Sequence, residues 1–200
     1  SLLWAGLSAA NPFGKLRNVR DPQDPASKRD PYSPAELDAL LAAATLRERV
    51  LVLLAADAGL RLAEAAALQW RDIDIPGRRL IIQCGKGSKR RTVAPTTRLA
   101  EALSALAGAT GWQPDLRVLG VSRRRVQALL GSLCRRAGVR QRGYHALRHS
   151  AATRLYAATR DLYIVARHLG HASLDTTRLY AHMDESHYAG AVETIGGTAA

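Results

Sequence analysis

From Ser33 onward most of the apolar residues recur at helical spacing, and the only convincing strand region lies between Ile73 and Val93, where they fall in short runs as strands require. That confines any sheet to one place and leaves the rest of the domain to helix packing. Ile73 and Ile75 form one short run, Leu80-Ile81-Ile82 a second, and Arg91-Thr92-Val93 a third that Pro95 stops. Gly85-Lys86-Gly87-Ser88-Lys89 falls between the last two and predicts a hairpin tip. Before this region, Ser33-Pro34-Ala35-Glu36 joins a capping box to a proline at the first helical position and predicts a helix over 33–44. A second helix is expected over 46–58, with Leu51, Leu54 and Ala55 in a stripe and Gly59 ending it, and a third from Leu62 to Trp70. After the strands come helices over 97–107, 122–137, 145–159, 161–169 and 173–182. The one over 122–137 carries Val126, Leu129, Leu130, Leu133, Cys134 and Ala137 on one face. The expected fold is mainly α with a small antiparallel three-stranded β-sheet.

Two hundred residues suffice for one domain and a remnant of another. Half of the eight prolines lie in 11–32, so residues 1–32 are expected to be a remnant of a preceding domain plus a proline-rich linker, with the main domain at 33–200. Cys84 and Cys134 stand fifty positions apart with no CxxC pair, which argues against a disulfide framework or a thiolate metal site and fits a cytoplasmic protein. The net charge of +12 favours a polyanionic partner. No apolar run approaches the roughly 20 residues of a spanning helix, so a nucleic acid fits better than a membrane.

Several residues could carry chemistry. His145 and Arg148 are three apart, so on a helix they share a face, with Leu147, Ala151 and Leu155 left for the core. An imidazole and a guanidinium side by side are expected to face outward, although a solvated basic face has the same pattern. His145 and His149 also have the spacing of a helical metal pair, but no acidic residue stands between them and Arg148 would repel a cation, so no metal site is expected. Phosphate suits these residues better, since arginine pairs its oxygens with a planar fork. Arg61 lies just after Gly59 at a helix start, and Glu64 three residues on could orient it. Lys86 sits at a glycine-flanked tip, and Tyr180 near the end of a short helix would by default be a core aromatic.

Taken together these segments resemble the tyrosine recombinases, the phage integrase family, with an Xer-like last box. Ala58-Gly59-Leu60-Arg61-Leu62-Ala63-Glu64 is similar to the family's TGLRxxE box, and Gly85-Lys86-Gly87-Ser88-Lys89-Arg90-Arg91 to its GKGxKxR hairpin. His145-Ala146-Leu147-Arg148-His149-Ser150 resembles HxLRHS, and the run from Leu169 to His182 resembles LGHxxxxTTxxYxH. The resemblance implies the tyrosine recombinase catalytic-domain fold and site-specific cleavage and rejoining of DNA through a 3′-phosphotyrosyl link, without metal or cofactor. Tyr180 would be the nucleophile, Arg61, Arg148 and His171 would hold the non-bridging oxygens, Lys86 would be general acid and His145 general base, with Glu64 in support. It further implies double-stranded DNA as partner and a homo-tetramer on DNA, monomeric without it, in which a tail at 183–195 docks on the neighbour. Ser1–Leu7 would then end a preceding core-binding domain, and the protein would be nucleoid-associated.

The remaining basic charge is expected to follow the DNA backbone: Lys89, Arg90 and Arg91 beside the hairpin, Arg123, Arg124 and Arg125 at a helix start, and Arg135, Arg136, Arg140 and Arg142 before His145. Alternatives from the same residues are a type IB topoisomerase-like relaxing enzyme, a non-catalytic DNA-binding relative and a zinc hydrolase.

Overall fold

A computed structural model of the chain describes residues 30–83 and 90–170. Helix α1 (Pro34–Ala43) starts as its sequence requires: Ser33 Oγ accepts from the Glu36 amide while Glu36 accepts from the Ser33 amide. The same reciprocal cap, Thr45 with Glu48, starts α2 (Leu46–Ala56). Residues Val50 to Ala56 are all buried, so α2 is not a one-sided helix with a stripe but the axis of the domain. It packs against α4 (Thr97–Thr110), α5 (Arg123–Arg136) and α6 (Tyr144–Thr159), with α1 and α3 (Leu62–Ala67) beside it. Truncating one of its fully buried leucines to alanine would cost about 2–5 kcal/mol.

The third helix is shorter than the expected Leu62–Trp70. Leu68 leaves the helical conformation, its carbonyl accepts from the Val118 amide, and Trp70–Asp72 forms a separate 3-10 turn. A tertiary contact explains the break: Trp70 is buried, its ring centroid 5.1 Å from that of Trp112. Helix α4 runs three residues beyond expectation, to Thr110, before Gly111 ends it.

Strands β1 (Ile73–Asp74), β2 (Arg79–Ile82) and β3 (Arg91–Val93) form the expected antiparallel sheet, in the order β1-β2-β3. Leu80 pairs with Val93, and Ile82 with Arg91 at the base of the hairpin that contains Lys86. Leu80, Ile82 and Val93 are buried, which sets the core face of the sheet.

Helix α7 (Leu162–Leu169) completes the described part, capped by the Asp161 carboxylate on the Tyr163 and Ile164 amides. Ala152, Val165 and Leu169 join α6 to α7 in a small cluster of their own. Tyr32, just before α1, belongs to the main core: its hydroxyl accepts from the Arg142 amide at 2.8 Å and lies 3.7 Å from Cys134 Sγ. Among the described residues no helix is long and apolar enough to cross a membrane. The expected helix at 173–182, the tail at 183–195, residues 1–29 and the tip carrying Lys86 and Lys89 lie outside the described residues.

Candidate active site

The site is assembled by a reversal after α2. Gly59 takes a left-handed conformation, φ +63°, and a Cβ there would stand 2.6 Å from Leu169 Cδ2. Glycine therefore permits both the turn and the close seat of α7, and Arg61 follows at the N-terminus of α3. Glu64 in the first turn of α3 accepts from the Arg61 amide at 2.7 Å and from Arg61 Nη1 at 3.1 Å. The orienting ion pair expected between these two residues is present.

Glu64 has a second and stronger partner. Arg91 of β3 clasps it with a fork, Nη1 to Oε1 at 2.7 Å and Nη2 to Oε2 at 2.8 Å, and both side chains are about nine-tenths buried, at 11% and 9% exposure. Arg148 Nη1 approaches Glu64 Oε2 to 4.0 Å. Burial opposes the ionisation of Glu64, but the Arg91 fork, the Arg61 amide and the charges of both arginines outweigh it and hold the carboxyl down at about 2. Three guanidiniums thus surround one carboxylate, leaving a net positive centre.

Arg148 departs from expectation. His145 is exposed, but Arg148 is only 3% exposed and does not face outward beside it. The reason is that α6 is buried on nearly every side from Ala146 to Ala152, between α2 and α7. The lost hydration of Arg148 is replaced by the Gly59 carbonyl on Nη1 and the Leu169 carbonyl on Nη2 at 2.9 Å, besides Glu64. Arg61 Nη2 reaches the next carbonyl, Gly170, at 3.4 Å. Both arginines are therefore moored to the two residues that precede His171.

Two neighbours complete the surroundings. His168 Nε2 lies 2.8 Å from the Asp57 carbonyl, which assigns the proton to that nitrogen. Burial, reinforced by the charges of Arg91 and Arg148, pushes its pKa down, so the ring is neutral at pH 7. Tyr144 is buried one turn before Arg148, its hydroxyl without a hydrogen-bond partner among the described residues. Burial and the Glu64 charge push its pKa far up, which makes it a poor nucleophile. Behind the cluster, the buried Asp57 carboxylate accepts from Thr96 Oγ1 at 2.7 Å, Arg98 Nε and Nη2 at 2.6 Å each, and Arg154 Nη2 at 2.7 Å. It ties the end of α2 to α4 and α6.

A glycine turn with an arginine at a helix start, a capping glutamate, a hairpin arginine and a helix arginine form one electropositive cluster, and residues 33–187, in which it lies, match the phage integrase family. The chain belongs to the phage integrase family. It is 34% identical over 200 aligned residues to the tyrosine recombinase XerC of Xanthomonas axonopodis pv. citri, covering 94% of this chain and 64% of the relative. Among solved structures it is similar to XerA recombinase, with a TM-score of 0.69 at 25% identity over 85% of this chain and 66% of the other. It is also similar to XerH site-specific recombinase bound to a palindromic difH substrate in a post-cleavage complex, with a TM-score of 0.67 at 26% identity over 84% and 54% of the two chains. The chain thus spans about two thirds or less of the length of these relatives.

Within this integrase-family domain, the expected residues Arg61, Glu64 and Arg148 come together, and His145 lies at the surface in the first turn of α6. Lys86, His171 and Tyr180 lie outside the described residues. Of the arginines expected along the DNA, Arg90, Arg123, Arg124, Arg125, Arg135, Arg136 and Arg140 are exposed. Arg142 instead pairs with Glu36 at 2.7 Å and stacks over Tyr32, while Arg136 pairs with Glu48 at 2.6 Å. Arg91 too is engaged inside the domain. A signal for this existed in the sequence: Arg91 is two residues from buried Val93, so strand alternation puts it on the core face.

Proposed function

We propose that this chain is the catalytic part of a site-specific recombinase that breaks and rejoins DNA through a phosphotyrosine. The observation that supports this most is the convergence of Arg61 and Arg148 on Glu64 and on the two carbonyls before His171. Such a cluster is fixed before substrate arrives, so it can meet charge developing on phosphate oxygens without reorganising.

In this reading Arg61, Arg148 and His171 bind the non-bridging oxygens of the scissile phosphate. A phenol with an ordinary pKa of about 10 needs help at neutral pH, so His145 takes the proton as Tyr180 Oη bonds to phosphorus. The bond from phosphorus to the 5′-oxygen breaks, and Lys86 donates a proton to that leaving oxygen. A 5′-hydroxyl from a partner duplex then attacks the phosphotyrosine and releases Tyr180. The phosphotyrosine keeps a phosphodiester-like bond, so no nucleotide is consumed, and the arginines supply positive charge without a metal. Arg90 and Arg123 to Arg125 would follow the DNA backbone, and four protomers would assemble on the DNA through the 183–195 tail. Since XerH was solved on a palindromic substrate, a site of inverted half-sites is the natural first test.

Covalent capture tests the reading. The full-length protein is incubated in EDTA with fragmented DNA of its source organism, denatured in SDS, and the attached DNA is sequenced. An adduct that disappears in Tyr180→Phe is expected. An adduct that persists in that variant, or none despite salt-sensitive DNA binding, overturns it.

A further inference from the structure

Arg91 holds the candidate site together from a place where a basic residue would ordinarily be assigned to DNA. It opens β3, opposite Ile82 in the last described pair of the ladder, so it stands at the base of the hairpin that carries Lys86. Its fork is on Glu64, the carboxylate shared by Arg61 and approached by Arg148. Its stem lies against Gly170: a Cβ on that glycine would stand 2.6 Å from Arg91 Cδ and 2.8 Å from Nε. One side chain therefore touches all three segments on which Lys86, the Arg61–Arg148 pair and His171 depend.

The electrostatics give this contact a purpose. A phosphate and Glu64 compete for the same two guanidiniums, and a buried carboxylate with no other partner would draw both onto itself. Building on the recombinase reading, we propose that Arg91 is a positioning residue that occupies Glu64 through both oxygens. It thereby limits Glu64 to one Nη1 contact with Arg61 at 3.1 Å and a 4.0 Å approach by Arg148. Both guanidiniums are kept from being drawn fully onto it and away from the scissile phosphate, and the hairpin base is locked against Gly170. Glu64 then serves as a hinge pin for the arginines instead of a rival to the substrate.

The test uses the full-length protein and a nicked duplex of the site found by covalent capture, with the single-turnover rate of Tyr180-dependent adduct formation as readout. Arg91→Met is expected to slow cleavage about 10²-fold while affinity and its salt dependence stay unchanged. Adding Glu64→Gln to that variant should restore about 10-fold of the rate, because it removes the competing charge. Neither simple structural support nor direct contact with DNA predicts that rescue. Should Arg91→Met unfold, Arg91→Lys, which keeps the charge without the fork, is expected to cleave slowly while remaining folded, with a Tm lower by only a few degrees. Wild-type cleavage by either Arg91 variant, or a double variant no faster than Arg91→Met, overturns the proposal. So does weaker binding with a salt slope reduced by about 1, which would make Arg91 a phosphate contact. A wild-type protein forming no Tyr180-dependent adduct would instead overturn the recombinase reading itself, a result visible before any Arg91 variant is made.

Discussion

Replacing Glu64 by glutamine should produce a stability loss that depends on pH in a calculable way. The carboxyl sits at about 2 in the folded chain against an ordinary 4.5. At about 1.4 kcal/mol for each pH unit, that depression contributes about 3 kcal/mol to folding at neutral pH. The side chain is 9% exposed, so solvent screening removes little of it. Because the folded pKa is the lower one, the unfolded chain takes up the proton first as pH falls. The contribution is therefore complete above about pH 4.5 and disappears as pH drops toward 2. Urea unfolding of wild type and Glu64→Gln, followed from pH 7 to pH 3, isolates this group, since Asp57, Glu48 and Glu36, also held below their ordinary values, are common to both proteins. The variant should be about 2–3 kcal/mol less stable at pH 7, and the gap should shrink steadily below pH 4.5. A gap of the same size at pH 7 and pH 3 would refute the argument, because the loss would then come from packing and not from the charge held by Arg91 and Arg61.

Asp57→Ala removes the shared acceptor of Thr96, Arg98 and Arg154; as both arginines are partly exposed and regain water, the cost should be about 3 kcal/mol, seen as a Tm lower by roughly 6–10 °C. Gly170→Ala forces a Cβ onto a residue at φ +66° and into the Arg91 stem, and should cost at least about 1–2 kcal/mol in urea unfolding, whereas Gly108→Ala in α4, where nothing lies within 4 Å, should be neutral or stabilising. Replacing each of Arg123, Arg124 and Arg125 by alanine should lower the log–log salt slope of duplex binding by about 0.9 for every phosphate that the side chain had neutralised, without changing Tm, as measured by fluorescence anisotropy.

Local rules made much of the architecture legible. Ser33 with Glu36 and Pro34 marks the start of α1, and Gly59, Gly138 and Gly170 end their helices in positive φ, because caps and left-handed turns are decided within a few residues. The alternation between Ile73 and Val93 likewise identified the strands, and the spacing of Val126, Leu130, Leu133 and Cys134 the buried face of α5. In the candidate site, Arg61 with Glu64 was legible for the same reason: both lie in one helical turn. The partners that complete the site lie 21 to 109 residues apart. Arg91 on Glu64, Arg148 on the carbonyls of Gly59 and Leu169, and Arg61 on Gly170 exist only because α2, α6, α7 and the sheet meet. An arginine is written the same way whether water or a buried carboxylate surrounds it. Sequence by itself determined the caps, the strands and the chemical types available; tertiary packing decided where α3 stops and which guanidiniums are desolvated, since the surroundings that set those energies come from distant parts of the chain.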